Sequence, residues 1–164
     1  MENKVFCNGV VELTLKDTKT QTIKETRKFK NRIVLGGMDI MASLLSIQDL
    51  AKPSHIACGT GTSVTTLVMT KLESEVYRVP FDVPNGTREG NVVTFIATFE
   101  SGMPEMDNCA ITEVGIFNAE SDGVMFNRAT FLPVNKAKDD ELTIKWTITV
   151  TSADDFDPTT MASV

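Results

Sequence analysis

The stretch Leu142-Thr-Ile-Lys-Trp-Thr-Ile-Thr-Val150 alternates without a break: Leu142, Ile144, Trp146, Ile148 and Val150 are separated by Thr143, Lys145, Thr147 and Thr149. A period of two sends one set of side chains to each face of a sheet, here apolar inward and polar outward. The pattern predicts a strand with Trp146 and Ile148 in the core. Val11, Leu13 and Leu15 alternate with Glu12 and Thr14, and Val93, Phe95, Ala97 and Phe99 repeat the pattern over residues 91–99. These runs place Leu13, Leu15, Phe95 and Phe99 in the same core.

Turn chemistry separates the runs. Asp17-Thr-Lys-Thr20 leads from the first strand into a polar one over residues 21–29, whose Lys and Glu suit a guarded sheet edge. Tyr77, Val79, Phe81 and Val83 share one face of a strand that Pro80 confines to an edge or bulge. With Pro84-Asn-Gly-Thr-Arg-Glu-Gly90 as a long loop, this strand is expected to form a hairpin with residues 91–99. Residues 109–117 and 124–132 read as another hairpin across Asn118-Ala-Glu-Ser-Asp-Gly123, ended by Pro133. Residues 67–77 fit either a short helix or an irregular connection. One segment differs: Met38, Met41, Leu44 and Leu45 recur at helical spacing after Leu35-Gly-Gly37, widened by Ile40 and Ile47. They predict one amphipathic helix over about residues 36–47, with Met41 and Leu45 in the core. The expected fold is mainly β, an antiparallel β-sandwich with that one inserted helix. Residues 1–151 form its single domain, and residues 152–164 an acidic tail or arm.

Charge narrows the partners. Sixteen basic against twenty-two acidic residues give a net charge of −6 over 164 residues. Such a surface repels a phosphate backbone, and the one basic run, residues 24–32, is interrupted by Glu25 and holds a single aromatic, Phe29. It reads as a solvated strand face. No apolar stretch approaches the ~20 residues that cross a bilayer. The first residues lack a secretory pattern. Neither nucleic acid nor a membrane is expected as a partner, and synthesis is expected in a cytosol. There Cys7, Cys58 and Cys109, widely spaced, would remain thiols, two of them as small core residues.

Candidate chemistry is sparse. Gly59-Thr-Gly-Thr62 could cradle a phosphate through its backbone N–H groups, but neither nucleotide-loop spacing is present. The favoured reading is a tight turn whose glycines take positive φ. Asn85-Gly-Thr87 matches a glycosylation sequon only by accident. Asp139-Asp-Glu141 and Asp154-Asp155 lack a calcium-loop pattern and read as solvated acid. His55, alone of its kind, would meet a thiol only by tertiary accident. Glu113 interrupts an apolar strand and, by parity with Ile111, Gly115 and Phe117, is expected to be partly buried. Arg128 across the hairpin is its natural partner, and a structural ion pair that fixes register is favoured over a catalytic acid. No catalytic, cofactor-binding or metal-binding residue is assigned.

Six stretches taken in order carry a resemblance. They are Asn31-Arg-Ile-Val-Leu-Gly-Gly37, Ile56-Ala-Cys-Gly-Thr-Gly-Thr62, Leu72-Glu-Ser-Glu-Val-Tyr-Arg78, Ile111-Thr-Glu-Val-Gly-Ile-Phe117, Met125-Phe-Asn-Arg-Ala-Thr-Phe131 and Leu142-Thr-Ile-Lys-Trp-Thr-Ile148. Together the chain resembles small virion structural proteins of tailed bacteriophages and prophages, of tail-fibre, collar or decoration type. The resemblance implies a non-enzymatic subunit without cofactors, repeated in a particle and contacting copies of itself and other virion proteins. The virion is then its location, with a tail, collar or fibre position first and capsid decoration as the alternative. From a different class, a carbohydrate-binding module stands as a further alternative, with a host-surface glycan as its partner; one Trp and one Tyr argue against it.

Overall fold

Alternation becomes two five-stranded antiparallel sheets in a computed structural model that describes residues 4–46 and 50–152. The first sheet contains β1 (Val5–Asp17), β2 (Thr22–Lys30), β6 (Thr87–Glu89), β7 (Val92–Phe99) and β10 (Asp140–Ser152), in the order β2-β1-β10-β7-β6. The second contains β3 (Arg32–Ile33), β4 (His55–Gly59), β5 (Glu75–Pro80), β8 (Cys109–Phe117) and β9 (Met125–Lys136), in the order β3-β9-β8-β4-β5. Among the described residues there is one α-helix, α1 (Leu35–Leu44), which follows β3 directly. Apart from Ser152, which ends β10, the expected acidic tail lies outside the described residues, as does Ile47 at the end of the expected helix.

The alternating runs meet between the sheets. Leu13, Phe99, Leu142, Ile144 and Trp146 are wholly buried, and Leu15, Phe95 and Ile148 nearly so. Opposite them, Ile56, Cys58, Val114, Ile116 and Ala129 form the inner face of the second sheet. The outer face of that sheet is not left to solvent. Val34, Ala57, Leu72, Phe117 and Met125 make a second, smaller apolar cluster there, with Met69 packed against it. Residues 60–74, which contain no strand or helix, supply Leu72 and Met69 to this cover.

Three expectations are corrected. The helix buries Gly37, Ile40 and Ser43, while Met38 is exposed, Met41 only half-buried and Leu45 92% exposed. Close approach of backbones is the cause. A Cβ on Gly37 would sit 2.0 Å from the Phe126 carbonyl oxygen, and one on Gly36 2.9 Å from that of Met125. The glycine side therefore turns inward against β9, and Met38, Leu44 and Leu45 are carried outward, while Met41 still packs against the main core. Leu45 is the C-cap, past the last helical residue. Accordingly, Leu45→Ser should leave stability within about 0.5 kcal/mol, whereas Ile40→Ala should cost about 2–5 kcal/mol, as read by chemical denaturation.

Residues 76–83 and 91–99 do not pair as a hairpin. β5 lies at the edge of the second sheet, as Pro80 requires, and β7 in the first, where its tight-turn partner is the short β6. The chain changes sheets between them, with Phe81 stacked on Phe95 at 4.5 Å and Asp82 N–H donating to the Ile96 carbonyl at 2.8 Å. Pro133 does not end β9, which continues to Lys136. β3 pairs only with Asn127 and Arg128, so among the described residues the outer edge of β9 beyond them has no ladder for a proline to interrupt.

Candidate functional site

Glu113 sits at the centre of the outer cover of the second sheet. The ladder between β8 and β9 is irregular between Ile111 and Glu113. Ile111 consequently faces the main core, whereas Thr112 and Glu113 both turn toward residues 60–74. The parity argument that grouped Glu113 with Ile111 fails at this bulge; its grouping with Gly115 and Phe117 stands.

The carboxylate of Glu113 is wholly buried and accepts four hydrogen bonds. Oε1 receives Gly61 N–H at 3.0 Å and Ser74 N–H at 2.7 Å. Oε2 receives Glu73 N–H at 3.1 Å and Arg128 Nε–H at 2.8 Å. Arg128, also wholly buried, donates from Nη1 to the Ser63 carbonyl at 2.8 Å and to Thr65 Oγ1 at 3.1 Å. Its Nη2 has no hydrogen-bond partner among the described residues and lies 3.9 Å from Glu73 Oε2. One ion pair thus fastens both ends of the loop over residues 60–74 to the sheet beneath it.

The Gly-Thr-Gly-Thr sequence has a different role from the expected turn. Neither Gly59 nor Gly61 takes a positive φ. What they provide is room. A Cβ on Gly59 would come 2.4 Å from the Ser74 carbonyl oxygen, and one on either glycine 2.5 Å from Glu113 Oε1. The loop does gather N–H groups around an anion, and that anion is the chain's own carboxylate. Gly61→Ala is therefore expected to cost about 2–4 kcal/mol in denaturant unfolding, because a buried charge would lose its donors. Gly90→Ala, with nothing within 4 Å, should cost only the strain of its φ of +55°.

Sequence reasoning missed the neighbours of this pair. Glu73 Oε2 accepts the N–H groups of Thr62 at 2.7 Å and Ser63 at 2.8 Å, which hold its carboxyl below the usual range, Ser63 most strongly. Arg78 lies with its guanidinium carbon 3.6 Å from the centre of the Phe117 ring, bonded to Glu75 and to the carbonyls of Ala119 and Asp122. Neither Glu73 nor Arg78 stands out by spacing, since both sit in segments of mixed polarity.

Other titratable groups fall elsewhere. Asp140, read as solvated acid, is buried; its carboxylate receives Lys24 Nζ at 2.9 Å and Ala137 N–H at 3.0 Å. A strand start facing β1 and β2 leaves it no route to water, which corrects that reading. Asp139 pairs with the exposed Lys19, and Asp154 and Asp155 lie outside the described residues. Cys7, Cys58 and Cys109 are free thiols, each pushed up by burial, Cys58 furthest. His55 Nδ1 is 2.7 Å from Ser54 Oγ, and burial pushes the ring pKa down. Lys136, opposite Cys109 in the ladder, is wholly buried, and its Nζ has no hydrogen-bond partner among the described residues. Burial lowers its pKa against the opposing pull of Asp140 and Asp107. Among the described residues, no group of three His, Cys, Asp or Glu side chains converges to hold a metal ion.

Comparison of the chain with protein-family models, with curated proteins and with solved structures gave no match.

Proposed function

We propose that this chain is a non-enzymatic structural subunit of a tailed-phage or phage-derived particle, positioned in the tail, collar or fibre. The observation that carries the reading is where the resemblance-bearing stretches lie. Five of the six fall on the second sheet and its cover: Asn31–Gly37 on β3 and α1, and the others on β4, β5, β8 and β9 with residues 60–62 and 72–74. Scattered over a hundred residues of sequence, they surround one buried ion pair. Such residues specify a scaffold, and what they specify is how a sheet keeps its cover.

The surface supports the same reading. A net charge of −6 keeps copies apart until assembly contacts form. β2 ends the first sheet with Lys24, Lys28 and Lys30 along an open edge, which suits a guarded contact strand. Proteomics on density-purified particles from a producing culture tests the proposal. A few to a few dozen copies per particle are expected. Hundreds would favour capsid decoration, and absence from the particles would overturn the reading.

A further inference from the structure

The outer edge of β9 is only partly used. β3 covers Asn127 and Arg128, and beyond them no described strand pairs with that side. Two adjoining clefts, about 260 and 400 Å³, run along this edge and share Thr130. Thr62, Val64 and Thr65 form the opposite wall. At one end stand Lys30 and Arg32, both exposed, and neither has a carboxylate partner among the described residues; Arg32 bonds only the Thr65 carbonyl. Val64 lines the first cleft and Leu132 the second, 79% and 78% exposed. At the far end, the Arg27 fork takes the carbonyls of Leu132 and Pro133.

On a chain of net charge −6, a groove with two unneutralised cations and no acid among its described lining residues invites an acidic occupant. Six strand residues, Arg128 to Pro133, line it and give it a length of about 17 Å. Residues 153–157, Ala-Asp-Asp-Phe-Asp, would span about 17 Å when extended and carry three carboxylates and one aromatic ring. We propose that this groove receives residues 153–157 of a second copy of this chain. Asp154, Asp155 or Asp157 would neutralise Lys30 and Arg32, and Phe156 would cover Val64 and Leu132. Pro133, which has no N–H, and the Arg27 fork limit ladder pairing at the far end, so the hold is by charge and apolar contact. The choice of a second copy rests on the assembly reading above.

Self-association of the purified full chain, followed by sedimentation over a range of concentrations, tests this. Lys30→Glu with Arg32→Glu should weaken association about tenfold or more, as should Asp154→Lys, Asp155→Lys and Asp157→Lys together. Mixing the two charge-reversed chains should restore association. Unfolding curves confirm that each variant folds, and Val64→Ser, which touches no charge, should weaken association independently. The proposal is overturned by a wild-type chain that stays monomeric, by variants that associate like wild type, or by a charge dependence that is independent of concentration. Failure here with the chain still present in particles removes only the groove. Success with the chain absent from particles removes only the assembly reading.

Discussion

Replacing Glu113 with Ala should destabilise the chain by about 3–5 kcal/mol, a large part of the 5–15 kcal/mol available to an ordinary domain. The loss is not that of one contact. Three backbone N–H groups, from Gly61, Glu73 and Ser74, would lose their acceptor, and the buried Arg128 would lose its counter-charge. Unmade bonds of buried donors cost far more than made ones contribute. Glu113→Gln should recover only part, because its amide nitrogen would point a donor at donors. Arg128→Met should be less harmful than Glu113→Ala, since the three N–H groups keep their carboxylate. Urea titration separates these outcomes, by the midpoint at constant slope. A Glu113→Ala chain within 1 kcal/mol of wild type would refute the clamp.

Lys136→Met should do the opposite and raise stability by about 1–3 kcal/mol. The wild-type amine is wholly buried with no hydrogen-bond partner among the described residues, whereas an apolar side chain of similar length loses nothing there. The pH dependence identifies the cause. Burial holds the folded pKa of Lys136 below its ordinary value of 10.5. Between the two values the unfolded chain binds more protons, so wild-type stability rises with pH through that window and is flat below it. The advantage of Lys136→Met should be full below the window and shrink as pH approaches 10.5. An advantage constant across alkaline pH would mean that the gain is packing, not the removal of a buried cation.

Much of the fold could be read from periodicity. The Trp146 strand, the β1–β2 and β8–β9 hairpins and six of the eight chosen core residues lie where alternation puts them. The exceptions share a cause. Side-chain pattern reports which residues are apolar; it is silent on where backbone must touch backbone. Gly36 and Gly37 let α1 approach β9, and that approach decided which face of the helix is buried. Local alternation in residues 76–83 gave a strand but not its sheet, because the strand next in sequence belonged to the other layer. The pairing of Glu113 with Arg128 was accessible from hairpin register, and the structure sets them 2.8 Å apart. The loop that completes their site was not. Its donors are main-chain N–H groups, which every residue but proline carries, so no residue type marks them.

β1 and β10 are thirteen-residue antiparallel partners whose outer ends, Val5 and Ser152, face each other at one rim of the first sheet. Tension applied through those two ends would open the ladder like a zip, one rung after another, with no rung sharing the load. A fold wired in this way resists little when those two strand ends are pulled apart. Any tensile force in a larger structure would have to enter through its flanks, where many rungs bear it together.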